Sequence, residues 1–176
     1  TDEARVAAER RLKFDELFLL QLRAEMIRQA LVRAEAPVLS FQEAETKHFV
    51  EGLPWPLTQA QRVATWDILR DLNRPQPMNR LLEGDVGSGK TIVAAAGCFT
   101  AFANGYQSIV MAPTQILAEQ HYQTLSQLFE PYKIRVSLIT ASEKKSAIGT
   151  TDIYVGTHSL IHKKVKFTNV AFVVID

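Results

Sequence analysis

The fold is decided by residues 79–103, which read NRLLEGDVGSGKTIVAAAGCFTAFA. The apolar segment Asn79–Glu83 predicts a short strand, and the glycine-rich segment Gly84–Gly89 predicts a loop. Lys90–Ala103 predicts a helix that Asn104-Gly105 closes. A strand, a loop and a helix in this order, with the pattern G-x-x-x-x-G-K-T across the loop, indicate a phosphate-binding loop.

The residue types of this loop suit a nucleoside triphosphate that carries Mg²⁺. Glycine lets the backbone adopt positive φ angles and approach a phosphate closely, and the amides at a helix N-terminus favour negative charge. The ammonium group of Lys90 can lie between the β- and γ-phosphates, and the hydroxyl of Thr91 can be a ligand of Mg²⁺. The loop residues that we expect to bind nucleotide are Gly84, Gly87, Ser88, Gly89, Lys90 and Thr91.

Downstream of the loop, strand and helix patterns alternate. Segments such as SIVM and AFVVI are apolar without a period of two, as is typical of strands that are buried in a parallel sheet. We expect an open α/β sheet with right-handed crossovers. The expected elements are strands at Ser108–Met111, Arg135–Ile139, Ile153–Val155 and Val170–Ile175, a helix at Gln115–Phe129, and a helical turn at Ser159–His162.

Upstream of the loop the pattern is helical. Asp2–Glu35 has strong helix formers and apolar residues at helical spacing, so it predicts a long helix that packs against the lobe through Phe14, Leu17, Phe18 and Leu22. Ser40 and Glu43 predict a capping box for a helix that ends near Glu51.

Thr58 predicts the N-cap of a third helix, Gln59–Leu72. Its residues Val63, Ile68, Leu69 and Leu72 should face inward.

The composition limits the classes of protein to which this chain can belong. The chain has 176 residues, of which 47% are hydrophobic, and this allows one sizeable core and argues against disorder. Lys plus Arg number 20 against 19 Asp plus Glu, so the overall charge does not single out nucleic acid or a membrane as a partner. The single cysteine, Cys98, cannot form an internal disulfide, so we expect a reducing, cytoplasmic location. No apolar stretch approaches about 18 residues, so we expect no membrane segment. The closing residues VAFVVID indicate a strand cut at its end, so we expect a fragment.

A phosphate-binding loop is shared by kinases, GTPases and motors. The GTPase alternative is weak because the chain has no Asn-Lys-x-Asp base-reading motif. The phrases LPWPLT, MAPT followed by ILAEQHY, VGTHSLI and VVID, in this order around the loop, resemble the first RecA-like lobe of superfamily 2 helicases. Within that superfamily the chain resembles the RecG family of ATP-dependent DNA helicases over nearly its whole length.

The resemblance implies roles for residues outside the loop. Gln61 would read adenine through its side-chain amide, and Asp176 would be the Walker B acid that holds Mg²⁺ and acts with Lys90 in catalysis. Residues that would contact DNA phosphates are Pro113, Thr114, Thr157 and His158. The residues alone leave other interpretations open: a polar helix residue for Gln61, a cap or turn former for Asp176, an N-cap for Thr114 and a structural histidine for His158.

The resemblance also implies an organisation and a function. Residues 1–51 would be a helical linker and residues 52–176 the first RecA-like, P-loop NTPase lobe, cut at the Walker B strand. ATP and Mg²⁺ would be the cofactors. The partners would be branched or forked DNA in repair and recombination, together with a second RecA-like lobe and a wedge domain of the same full-length protein. Alternatives are the related transcription-repair coupling translocase and a P-loop module that binds ATP without turnover.

The chain departs from the family in two places. The family's Glu after the Walker B carboxylate, which positions the attacking water, would follow Asp176, so we expect these residues alone to hydrolyse ATP poorly. At Lys144-Lys145-Ser146 the family has a longer basic segment, so we predict that Lys145 and Ser146 are not neighbours in the native protein.

Overall fold

The computed structural model describes residues 2–140, 144–145, 151–158, 160 and 167–176, without the side chains of residues 31–33 and 144–145. The chain forms two compact units. The smaller unit contains Thr1–Ala36 and Pro75–Pro77, and the larger contains Pro37–Arg74 and Met78–Asp176. The functional boundary between residues 51 and 52 stays a prediction, and the helix just before it belongs to the larger unit.

The smaller unit is built on helix α1, Asp2–Arg33. It is the long helix that the sequence predicts, since the segment contains no Pro or Gly. Ion pairs at i,i+4 spacing lie along it: Lys13 Nζ is 2.6 Å from the carboxylate of Glu9, and Arg11 Nε is 3.1 Å from that of Asp15. Large apolar side chains of α1 are exposed, among them Phe14, Leu17, Phe18 and Leu22. The packing that we predicted for this face stays a prediction.

The larger unit contains a five-stranded sheet with the order β3-β2-β4-β1-β5. The strands are β1 Gln107–Met111, β2 Val136–Ile139, β3 Lys144–Lys145, β4 Ile153–Gly156 and β5 Val170–Ile175. Strands β2, β4, β1 and β5 are parallel, and the two-residue β3 is antiparallel to β2. The predicted parallel α/β sheet is confirmed.

Helices flank this sheet as predicted. They are α2 Glu43–Glu51, α3 Gln59–Leu72, α4 Lys90–Ala103, α5 Gln115–Phe129 and the 3₁₀ turn Glu130–Tyr132. α4 is rich in Ala, and its residues from Ala95 to Ala101 are all buried, because small side chains let a helix lie close to a sheet. Phe49 of α2 stacks on Phe99 of α4, with ring centroids 4.7 Å apart. The core therefore joins α2 to the lobe.

Three local predictions are wrong. Residues 79–83 lie outside the described sheet, and Leu81 is 84% exposed. The side chain of Arg80 instead ties this segment to α3 through a 2.6 Å ion pair with Asp71.

Val63 faces solvent, because the inward stripe of α3 is set by Thr65, Ile68, Leu69 and Leu72. Ser40 caps no helix: its main-chain N–H and carbonyl both pair with the side chain of Asn104, and Gln42 takes the N-cap position of α2.

Two predictions fall outside the described residues. They are the helical turn Ser159–His162, of which Leu160 alone is described, and the junction between Lys145 and Ser146. Across the described residues, no helix combines the length and the apolar character that a membrane span requires.

Candidate nucleotide-binding site

The phosphate-binding loop lies between residue 83 and α4. Gly87 and Gly89 have φ angles of +80° and +81°, which side chains adopt only under strain. Gly89 is the N-cap of α4, so the free amides of the first turn open toward the loop. The N–H of Ser88 donates to the carbonyl of Asp85 at 3.1 Å and closes the turn. The sequence prediction of an exposed glycine loop that leads into a helix is confirmed.

Lys90 folds back over this loop. Its Nζ donates to the carbonyl oxygens of Gly84 at 2.7 Å and of Asp85 at 2.9 Å. Both carbonyls are neutral, whereas the phosphates of a nucleotide are anionic acceptors that bind an ammonium group more strongly. The lysine charge is thereby held at the loop, next to Thr91 on the first turn of α4.

Gln61 bridges α3 and the loop. Its Oε1 accepts from the main-chain N–H of Thr58 at 2.8 Å, while the Thr58 hydroxyl accepts from the N–H of Gln61 at 3.2 Å. Its Nε2 donates to the carbonyl of Ser88 at 2.8 Å. A side chain at Gly89 would collide with this Nε2. Gln61 therefore contacts the loop, which the sequence did not show, and its contact with adenine stays a prediction.

Asp176 lies at the same edge of the sheet as the loop. Only three residues, 104–106, connect α4 to β1, so the two elements run in opposite directions, and β5 is parallel to β1. α4 crosses β5 closely where Gly97 meets the Phe172 ring. From that crossing, Lys90 is seven residues back along α4, about 10 Å, and Asp176 is four residues forward along β5, about 13 Å. The loop and the carboxylate therefore lie at similar heights above the crossing.

The carboxylate of Asp176 has a partner that the sequence analysis missed. Its Oδ2 lies 2.9 Å from Nε2 of His121 on α5, and its main-chain N–H donates to the carbonyl of Met111 at 2.8 Å. His121 lies within the ILAEQHY phrase, but one sequence offers no signal that pairs it with a residue 55 positions away. Asp176 is thus tied to both β1 and α5.

The four residues expected to contact DNA occupy two neighbouring loops. Pro113 and Thr114 follow β1, and Thr157 and His158 follow β4. Because β1 and β4 are parallel neighbours, with Met111 opposite Gly156, both loops lie at the edge that carries Asp176. Pro113, Thr114 and His158 are exposed. The Thr114 hydroxyl accepts from the N–H of Leu117 at 3.3 Å, so Thr114 is an N-cap, and the DNA contacts stay predictions.

The donor atoms at this edge fit Mg²⁺. Hydroxyl and carboxylate oxygens, as on Thr91 and Asp176, are ligands that Mg²⁺ prefers, and it fills its other positions with water and phosphate oxygens. Within the part of the chain that the structure describes, no group of three or more His, Cys, Asp or Glu could hold a metal by itself.

The model of the DEAD/DEAH box helicase family matches residues 58–176. Over 176 aligned residues, which include 95% of this chain, the sequence is 44% identical to the ATP-dependent DNA helicase RecG of Aquifex aeolicus. It is 41% identical to RecG of Bacillus subtilis, with all of this chain aligned.

Solved structures of helicases also resemble this chain. RecG bound to a three-way DNA junction matches with a TM-score of 0.82 and 32% identity over 92% of this chain. An ATP-dependent RNA helicase from Sulfolobus tokodaii, with a TM-score of 0.57 and 21% identity, shares the fold. The chain spans 22% of the Aquifex relative, 27% of the Bacillus relative and 26% of the RecG structure.

Proposed function

The chain belongs to the DEAD/DEAH box helicase family, and from this membership we propose that it is the ATP-binding lobe of a RecG-type, ATP-dependent DNA helicase. The observation that carries the proposal is the arrangement of the loop. The Lys90 charge is held against the Gly84 and Asp85 carbonyls, at the sheet edge where Asp176 follows β5. A loop of this kind provides amides and one cation to a triphosphate, and the nearby carboxylate suits its metal ion.

Binding of ATP would exchange contacts that the free site already makes. Lys90 would leave the two carbonyls for the β- and γ-phosphates, and the amides of the first turn of α4 would donate to the same phosphates. Thr91 and Asp176 would hold Mg²⁺, which neutralises part of the phosphate charge. Gln61 would turn one or both ends of its amide from Thr58 and Ser88 toward adenine.

The DNA proposal rests on the edge loops and on the relatives. Hydroxyl groups and main-chain N–H groups at strand ends can bind phosphates, which positions a strand without reading its sequence. Pro113, Thr114, Thr157 and His158 offer few such contacts, so binding by this lobe alone should be weak and salt-sensitive. The matched RecG structure contains a three-way DNA junction. We therefore propose branched or forked DNA as the substrate, in repair and recombination.

The motor cycle would need more than these residues. The matched segment is 22% of the length of the Aquifex relative. A helicase motor closes two RecA-like lobes on ATP, with an arginine of the second lobe against the γ-phosphate. We infer that the complete protein carries that lobe and a wedge domain, and that the 176 residues bind ATP but turn it over slowly. The two relatives named above are RecG helicases, and this favours the RecG function over the coupling translocase.

Calorimetric titration of the 176-residue chain with ATP and with GTP, both with Mg²⁺, tests the nucleotide part. We expect ATP to bind more tightly than GTP. Absence of saturable ATP binding by the folded chain would contradict the proposal.

A further inference from the structure

His121 contacts the carboxylate at the end of β5 from a different element. It lies about two turns into α5 and reaches Asp176 Oδ2 through Nε2 at 2.9 Å. Its side chain is 18% exposed, against 45% for the carboxylate. An ionised carboxylate can only accept, so the ring N–H is the donor. The more buried of the two side chains, which lies on a helix, therefore holds the more exposed one.

The main chain reinforces this arrangement. The N–H of Asp176 donates to the Met111 carbonyl at 2.8 Å, and β1 leads through the N-cap Thr114 into α5. The main chain of Asp176 is thus held by β1, and one oxygen of its carboxylate is held by α5. That leaves its second oxygen, Oδ1, for a cation that arrives with nucleotide. A carboxylate whose rotation is already restricted loses less conformational freedom when it binds a metal.

We propose that His121 is a positioning residue for the Asp176 carboxylate, which it orients toward the Mg²⁺ of a bound nucleotide. This inference rests on the proposed function, because the proposed function supplies the metal. Groups that hydrogen-bond to a metal's ligands and fix their orientation typically change metal affinity or activity by about 10- to 100-fold when they are replaced. His121 contributes no metal–ligand bond of its own.

A purely structural role predicts a different result. An ion pair or hydrogen bond near the surface adds little to the stability of the fold. If His121 served packing alone, its replacement would change the melting temperature and leave the Mg²⁺ requirement of ATP binding unchanged. The Mg²⁺ requirement is therefore the readout that separates the two roles.

The experiment measures ATP affinity of the 176-residue chain by calorimetry at a series of free Mg²⁺ concentrations and in EDTA. His121→Ala should raise the Mg²⁺ concentration for half-maximal effect by about tenfold, with ATP affinity in EDTA unchanged. His121→Gln, which keeps an N–H donor near the Nε2 position, should restore most of the response. The matched control is Gln120→Ala, an exposed neighbour on α5. His121→Asn, whose amide is too short, replaces the alanine variant if that variant unfolds.

A double-variant cycle completes the test. Asp176→Asn should weaken the Mg²⁺ response, and His121→Ala added to it should have little further effect, because the two residues act as one unit. An unchanged Mg²⁺ requirement in the folded His121 variants would overturn the inference while wild-type Mg²⁺-dependent binding left the proposed function standing. A wild-type chain that binds no ATP with Mg²⁺ would overturn both.

Discussion

Replacement of Lys90 by alanine tests the phosphate site. Its Nζ makes two bonds to neutral carbonyls, at 2.7 and 2.9 Å, which it gives up when it turns to the phosphates. We take the net contribution of Lys90 to the free energy of ATP binding as that of one hydrogen bond to a charged acceptor, about 1.5–3 kcal/mol. Lys90→Ala should therefore weaken ATP binding roughly 10- to 100-fold, at about 1.4 kcal/mol per tenfold.

Fold and adenosine binding should survive this change. Lys90 is the first residue of α4, and alanine is as good a helix former there. The two residues whose carbonyls lose the ammonium group, Gly84 and Asp85, are exposed. The measurement is calorimetric titration of the variant and the wild type with ATP, ADP and adenosine. The charge-matched control is Lys47→Ala, whose exposed side chain lies 3.8 Å from Glu51 on α2. If a folded variant lost affinity equally for ATP and adenosine, or lost affinity for neither, Lys90 would not be the phosphate-binding cation.

Three further predictions follow from individual contacts. Gln61→Ala removes two 2.8 Å bonds and should lower the preference for ATP over GTP, whereas an unchanged ratio in competition titration would exclude Gln61 from base recognition. Gly97→Ala places a Cβ against the Phe172 ring and should lower the free energy of unfolding, measured in urea, by about 1–3 kcal/mol. Phe172→Leu, added to this variant, should restore part of the stability. An unchanged free energy of unfolding would mean that α4 and β5 pack less closely than the structure shows. The Arg80 hydrogen bond lowers the pKa of Asp71 below its usual 3.8, so the stabilisation is present above that pH and is lost as the pH falls through the lowered pKa. Arg80→Gln should therefore destabilise the chain at about pH 6 in urea unfolding, and the difference from the wild type should shrink as the pH falls below 3.8. A pH-independent difference would contradict this.

The main helices and strands of the lobe were predictable because the capping and helix-breaking residues in the sequence lie where the buried apolar patterns begin and end. The bounds of α3, α4, α5 and β5 match the prediction at both ends, since caps such as Thr58 and Thr114 and breakers such as Gly105 mark where each pattern stops. The glycine loop was equally clear, because its positive φ angles limit the residue types that can occupy it.

The wrong predictions and the missed contact both concern interactions between residues that are distant in sequence. Ser40 and Glu43 have the spacing of a capping box, but Asn104, 64 residues away, takes the polar groups of Ser40. Residues 79–83 have strand composition, yet a strand needs a paired neighbour, and composition does not show one. The pair of His121 with Asp176 is invisible for the same reason, because it arises from the way α5 packs beside the end of β5.

Steady-state ATP hydrolysis by residues 1–176, with and without three-way-junction DNA, shows whether this lobe can act as a motor by itself. The same assay is run on a longer form that adds the segments present in the RecG relatives. For the 176 residues we expect ATP binding with turnover near background and no DNA stimulation, because an arginine from a second lobe is worth roughly 10³–10⁵ in rate. The longer form should show DNA-stimulated turnover. Robust DNA-stimulated hydrolysis by the 176 residues alone, or none by the longer form, would contradict the proposed two-lobe motor.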